Sequence, residues 1–172
     1  NEDEVRKFDE RVKRLLEGRQ PSYSVELKID GAAVSLWYEH GRFVRGLTRG
    51  DGERGEDITR NLRTLRSIPL RLNLDAGKAA PPFIELRGEV YMPRSEFARL
   101  NRELEEQGEE GFVNPRNAAA GSLKMKDPAE VARRGLRVFI HTTGVFEGLD
   151  CARHSEFLKL AAAWGLPAVP GQ

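Results

Sequence analysis

Glu26, Lys28 and Asp30 stand two residues apart and run directly into Gly31. In an extended chain, side chains two apart point the same way, so the three charges share one face. On spacing alone that face is a solvated strand whose charges stabilise one another. Gly31 tips the reading toward a cleft, because a glycine beside a charged trio lets a ligand approach the backbone. Lys28 is then the reactive candidate. A free lysine is protonated at neutral pH and cannot attack, and two flanking carboxylates hold it so. Desolvation, or a ligand that brings Mg²⁺ to offset the acids, would release the nucleophile.

A second set, Glu85, Arg87 and Glu89, repeats the two-residue spacing along residues 84–92. Two charged strands facing each other would enclose a polar cleft able to hold a nucleotide and a metal ion. Gly50, Gly52 and Gly55 satisfy the G-x-G-x-x-G pattern, which raises a Rossmann-type oxidoreductase as a rival. The context opposes it. The preceding strand closes a hairpin rather than a parallel βαβ unit, and Asp51 and Glu53 would face a pyrophosphate with like charge. His40, His141 and His154 have no ligand-like spacing to one another or to Cys151, and read as turn, strand or surface residues. A binding module without chemistry is the third class considered; Lys28→Ala separates it from an enzyme.

These residues need elements to hold them. Val5, Phe8, Val12, Leu15 and Leu16 lie at helical spacing in residues 3–16 and predict an amphipathic opening helix. Gly18 and Pro21 end it. Val25, Leu27 and Ile29 alternate with the charged trio and predict a half-buried strand over residues 24–30. Residues 33–38 and 43–48 follow as strands around a His40-Gly41 turn, antiparallel to each other. A glycine-rich loop leads into a short helix over 57–65, and residues 73–82 read as a surface loop. A strand over 84–92 precedes a helix that starts at Pro93 and turns Phe97, Leu100 and Leu104 inward. Residues 111–126 are irregular, with 117–123 readable as a small-residue helix. A short helix near 127–134, a strand over 136–145 and a helix over 155–164 complete an α+β fold with mostly antiparallel sheets and flanking helices.

The 172-residue chain is 39% hydrophobic and 32% charged, an ordinary globular balance for one domain. Lys+Arg number 28 against Asp+Glu 27, so the net charge of +1 does not announce a strongly basic nucleic-acid binder. The charge is uneven: arginines crowd residues 42–71, and residues 103–110 are almost purely acidic. One cysteine excludes an intrachain disulfide framework, argues against structural zinc and suits a reducing cytosol. No apolar run approaches a membrane span.

Read in order, the motifs resemble those of NAD⁺-dependent DNA ligases of the bacterial type. Glu26-Leu27-Lys28-Ile29-Asp30-Gly31 matches the lysine–x–aspartate–glycine signature of covalent nucleotidyltransferases in its glutamate-led form. Thr48-Arg49-Gly50-Asp51-Gly52 and Gly55-Glu56-Asp57-Ile58-Thr59 look like the family's loop after the first hairpin. Glu85-Leu86-Arg87-Gly88-Glu89-Val90 resembles its third motif. The longest match runs from Phe112 through Asn114-Pro115-Arg116-Asn117 to Leu123, and it favours the NAD⁺ branch over ATP-dependent ligases or capping-type enzymes.

The resemblance implies a nucleotidyltransferase (ATP-grasp-like ligase) fold and a three-step ligation. Lys28 would attack the α-phosphorus of NAD⁺ and keep AMP. The AMP would pass to the 5′-phosphate of a nick in duplex DNA, and the 3′-hydroxyl would displace it. Position by position, Glu26 would hold the adenine edge and Arg49 the ribose or its phosphate. Asp30 and Glu89 would organise the ribose, the lysine and Mg²⁺ (or Mn²⁺), with Gly31 beside the nucleotide. Arg116 would meet a phosphate of the nucleotide or the nick. Lys124 stands where the family usually has arginine, losing the bidentate fork for its phosphate or DNA contact. The resemblance further implies a monomeric cytoplasmic bacterial enzyme with no membrane partner. It makes residues 1–172 a single truncated adenylation domain, with the upstream nicotinamide-mononucleotide region missing. Also missing would be the domain's downstream end and the oligonucleotide-binding, zinc and helix–hairpin–helix domains, so that the isolated chain is expected not to seal nicks.

Overall fold

The structure is a computed structural model that describes residues 1–52, 54–75, 79–149 and 151–170. Glu53, and residues 76–78 of the expected surface loop, fall outside the described residues.

Helix α1, Glu2–Leu15, begins where its chemistry says it should. The Asn1 side chain accepts from the Glu4 amide, the Glu4 side chain returns the bond to the Asn1 amine, and Glu2, Asp3 and Glu4 fill the first turn. It is amphipathic as expected, yet no residue of it is buried. Phe8 meets the Tyr23 ring at 5.9 Å, and the Tyr23 hydroxyl donates to Asp9, tying the following segment back to the helix.

The sheet has four strands in the order β2-β1-β3-β4, all neighbours antiparallel. They are β1 Ala32–Glu39, β2 Arg42–Thr48, β3 Phe83–Tyr91 and β4 Arg137–Glu147. His40 and Gly41, both at positive φ, make the tight turn from β1 to β2. Alternation then sorts the side chains. Val34, Leu36 and Tyr38 of β1, Ile84, Leu86 and Val90 of β3, and Val138 and Ile140 of β4 are buried on one face. Ser35, Glu85, Arg87, Glu89 and His141 take the other.

Helices supply the rest of the core. They are α2 Thr59–Leu62, α3 Arg94–Glu106, α4 Pro115–Leu123, α5 Pro128–Arg133 and α6 His154–Ala163. Leu62, Leu100, Ala118, Ala119, Leu123, Val131, Phe157 and Ala161 join the strand residues in one apolar cluster. α2 is shorter than the helix expected over 57–65.

Two expectations need correction. Residues 22–30 form no regular strand; only an isolated bridge at Glu26 interrupts an otherwise irregular course. Val25 and Leu27, which alternation would bury, are 68% and 65% exposed. The two-residue period is present, but among the described residues no neighbouring strand continues the ladder that would turn it into a sheet. Conversely, residues 111–126 are not irregular throughout, because they hold α4.

Candidate active site

The segment carrying Glu26, Lys28 and Asp30 is held to the sheet at Gly31. A Cβ there would lie 2.2 Å from the Val90 carbonyl oxygen of β3. Only glycine allows that approach, so the requirement comes from close backbone packing. Beyond this contact, the segment and the open face of the sheet enclose a cleft of about 1100 Å³.

Of the residues to which the resemblance gives a site role, six line this cleft: Lys28, Asp30, Gly31, Arg49, Glu89 and Arg116. The β2–α2 loop delivers Arg49, whose amide bonds the Ala33 carbonyl at 3.2 Å. Gly50, at φ +54°, closes the loop so tightly that a Cβ would sit 1.7 Å from the Arg54 carbonyl oxygen. The cleft-facing glycines thus serve a turn after an antiparallel hairpin, which removes the Rossmann reading.

α4 delivers Arg116. Asn114 caps it by accepting from the Asn117 amide at 2.8 Å, and Pro115 occupies the first turn. Ala118 and Ala119 are fully buried, and a Cβ on Gly121 would meet the Phe112 ring at 3.3 Å. The small-residue run is therefore a packing surface that brings the helix start, with its arginine, to the cleft. Buried Asn61 closes the far end, donating from Nδ2 to the carbonyls of Leu123 and Met125 at 2.8 Å each. Nothing in the sequence reading singled out Asn61; a polar residue in a short helix gives no signal until its distant partners are known.

The charged set on β3 divides. Glu85 is structural: its carboxylate accepts from Ser35 Oγ on β1 at 2.8 Å, Arg87 Nε at 3.0 Å and the Val145 amide on β4 at 3.2 Å. Burial pushes its carboxyl up, but the Arg87, Ser35 and Val145 bonds outweigh this and hold it below the usual glutamate value. Glu89 is the opposite. It has no hydrogen-bond or ion-pair partner among the described residues, and burial raises its carboxyl above the ordinary value. Lys28, Arg116 and Arg49 oppose that rise, and Asp30 adds to it. Lys28 and Arg49 are likewise without side-chain partners among the described residues. Charges gathered in a cleft without partners suit a site built for a charged ligand.

Arg116 approaches Asp30 at 3.6 Å, beyond hydrogen-bond range and well exposed, so it is loosely held. Two residues expected at the site stand apart from the cleft wall. Lys124 pairs with Glu56 at 2.6 Å on the surface. Glu26 lies to one side, with His154 Nε2 at 2.6 Å. His141, set aside as an ordinary strand residue, does line the cleft. Burial lowers its pKa; Glu26 opposes this, while His154, Arg87 and Lys28 add to it. Its place on the cleft wall thus disfavours the charged form of the ring. Its strand register against β3 was the missing information.

Among the described residues no three His, Cys, Asp or Glu side chains gather as a metal cage. Mg²⁺ seldom needs one, usually taking one or two carboxylates together with substrate phosphates and water. Asp30 and Glu89, both on the cleft, fit that pattern.

A family model described as the NAD-dependent DNA ligase adenylation domain matches residues 1–171. The chain belongs to this family. Proteins named DNA ligase resemble it throughout. That of Desulforamulus reducens is 53% identical over 169 residues, covering 98% of this chain and 24% of the relative. That of Pelotomaculum thermopropionicum is 56% identical over 180 residues, covering 99% and 26%. That of Bacillus cytotoxicus is 48% identical over 172 residues, covering 100% and 25%. The adenylation-domain chain thus spans about a quarter of the length of these relatives. No helix among its described residues is long and apolar enough to cross a membrane.

Proposed function

We propose that this domain, of the nucleotidyltransferase fold, transfers AMP from NAD⁺ to Lys28 as the first step of sealing nicked duplex DNA in a full-length ligase. The convergence of Lys28, Asp30, Arg49, Glu89 and Arg116, from four separated stretches of chain, on one cleft carries the reading.

Nζ of Lys28 attacks the α-phosphorus; a P–N bond forms, and the bond to the nicotinamide mononucleotide oxygen breaks. The attacking amine must first lose a proton. Lys28 is exposed here, so burial does not supply the means; the bound nucleotide and metal must. Asp30 and Glu89 would hold Mg²⁺ (or Mn²⁺), which supplies positive charge against the phosphate oxygens when bound. Arg49 takes the ribose or its phosphate. Arg116, only loosely engaged by Asp30, is positioned to turn to a phosphate, where a guanidinium fork matches two oxygens. Such cations stabilise the charge that spreads over the phosphoryl group in transfer. Glu26 holds the adenine edge, and Lys124 serves a later phosphate or DNA contact once it leaves Glu56. The reading carries with it a monomeric enzyme working in a bacterial cytoplasm.

Intact mass after incubation with Mg²⁺ and either NAD⁺ or ATP tests this, with Lys28→Ala as control. The expected result is a gain of one AMP from NAD⁺ alone, absent in the variant. Adenylation that survives the substitution would remove Lys28 from its role. A gain from ATP alone would move the domain to the other branch of the superfamily.

A further inference from the structure

His154, the first residue of α6, stands 128 positions after Glu26, yet its Nε2 lies 2.6 Å from Glu26 Oε1. Ser24 Oγ also donates to that same oxygen, at 3.3 Å. Among the described residues Oε2 has no partner. One oxygen of the carboxylate is thus loaded with two contacts while the other is left open. A carboxylate only accepts, so Nε2 must carry the hydrogen of this bond. The contact belongs to a wider arrangement, since the charges of Glu26 and His154 both reach His141 on the cleft wall. The segment around Glu26 has no strand ladder to fix it, and its neighbours Val25 and Leu27 are exposed. The isolated bridge at Glu26 pairs its backbone only, so side-chain contacts must set the direction of the carboxylate.

We propose that His154 is a positioning residue for adenine recognition: by binding Oε1 it turns Oε2 of Glu26 toward the exocyclic amino group of the base. This rests on the reading of Glu26 given above. The base's exocyclic donor is that amino group, and a carboxylate oxygen fixed in direction is its natural acceptor. Fixing the carboxylate before the nucleotide arrives removes ordering cost from binding without touching the phosphoryl transfer. His154 therefore acts on the binding of NAD⁺ and not on the rate of the chemical step.

The test is self-adenylation kinetics in the full-length enzyme with two donors: NAD⁺, and an analogue whose purine carries hydrogen in place of the 6-amino group. Glu26→Ala, His154→Ala and His154→Gln are compared with the unsubstituted enzyme. His154→Ala should raise KM for NAD⁺ about tenfold, the scale of one charged hydrogen bond, and leave kcat within about twofold. KM for the analogue should not move, because the analogue never used the bond. His154→Gln, whose side-chain amide can still donate to Oε1, should recover most of the loss. A rise in KM for both donors alike would make His154 merely structural, and no rise for either would remove it altogether. Glu26→Ala separates the two levels of the argument. If it abolishes the preference for NAD⁺ over the analogue while His154→Ala changes nothing, only the role of His154 falls. If Glu26→Ala leaves that preference intact, the adenine reading of Glu26 falls and the proposal with it.

Discussion

Glu85 and Glu89 share one face of one strand and are pushed in opposite directions by their surroundings. Three donors from three strands hold Glu85 ionised, so its folded-state pKa lies below its unfolded one. Its contribution to stability is therefore present above the ordinary glutamate value of about 4.3 and lost as pH falls through the lowered folded value. Glu85→Gln should cost about 1–2 kcal/mol at pH 7, and the difference from the parent should shrink in acid. Urea unfolding at pH 7 and about pH 3.5 measures both. A constant difference would mean that packing, and not charge, was lost. For Glu89 the sign reverses. Burial raises its folded pKa, so ionisation costs stability at neutral pH and nothing below the ordinary glutamate value. Glu89→Gln should stabilise the ligand-free domain slightly, by a few tenths of a kcal/mol after solvent screening, and still remove adenylation. Loss of both stability and adenylation would mark Glu89 as a structural residue. Neither difference was legible in the sequence, where the two glutamates occupy equivalent places in one alternating pattern; the neighbours that part them come from β1, β4 and α4.

At the scale of elements, what carried a strong local pattern was legible and what depended on distant partners was not. The β1–β2 hairpin, β3, β4 and α3 were readable because period, turn residues and burial all agree. The strand expected over 24–30 failed because alternation says which way side chains point without supplying a neighbour to pair with. α4 falls in a stretch that reads as irregular, with only 117–123 readable as a small-residue helix, since alanines and a glycine give little amphipathic contrast; its reason is close packing against the sheet. Two substitutions follow from these supports. Asn61→Ala should cost about 2 kcal/mol in urea unfolding, because the carbonyls of Leu123, at the end of α4, and of Met125 just beyond it both lose the Asn61 Nδ2 group that donates to them. A loss below about 0.5 kcal/mol would mean that water takes over the capping. Gly31→Ala acts on the other support. Its Cβ would collide with a backbone oxygen of β3, which cannot rotate away as a side chain could. The segment bearing Lys28 must then move, so adenylation should be lost while the melting curve of the sheet and helices stays nearly in place. Full activity in Gly31→Ala would show that the cleft does not depend on that contact.

At the scale of the whole molecule, a rigid half meets a loosely held half. One face of the sheet is sealed by helices into a single apolar cluster, and the other is left polar and open. Across that open face lies a segment with no ladder, tied down by Tyr23 to Asp9, by Glu26 to His154 and by Gly31 against Val90. Lys28, the proposed nucleophile, therefore sits on a segment without a ladder, while Glu89 and Arg116 are carried by β3 and α4, which pack into the core, and Arg49 follows directly on β2. This division suits a site that closes on its ligand, since residues that must move are drawn from the low-stability end of a structure. It also predicts where binding will be felt. In hydrogen–deuterium exchange, amides of residues 22–30 should exchange quickly in the free protein and slow by more than about tenfold with NAD⁺ and Mg²⁺ in the full-length enzyme. Amides of β1, β3 and β4 should change little, being already protected by the ladder. Slow exchange of residues 22–30 without ligand would refute the loosely held segment. Protection spread evenly over sheet and segment would mean instead that the nucleotide stabilises the fold as a unit, and that Lys28 is held in place before anything binds.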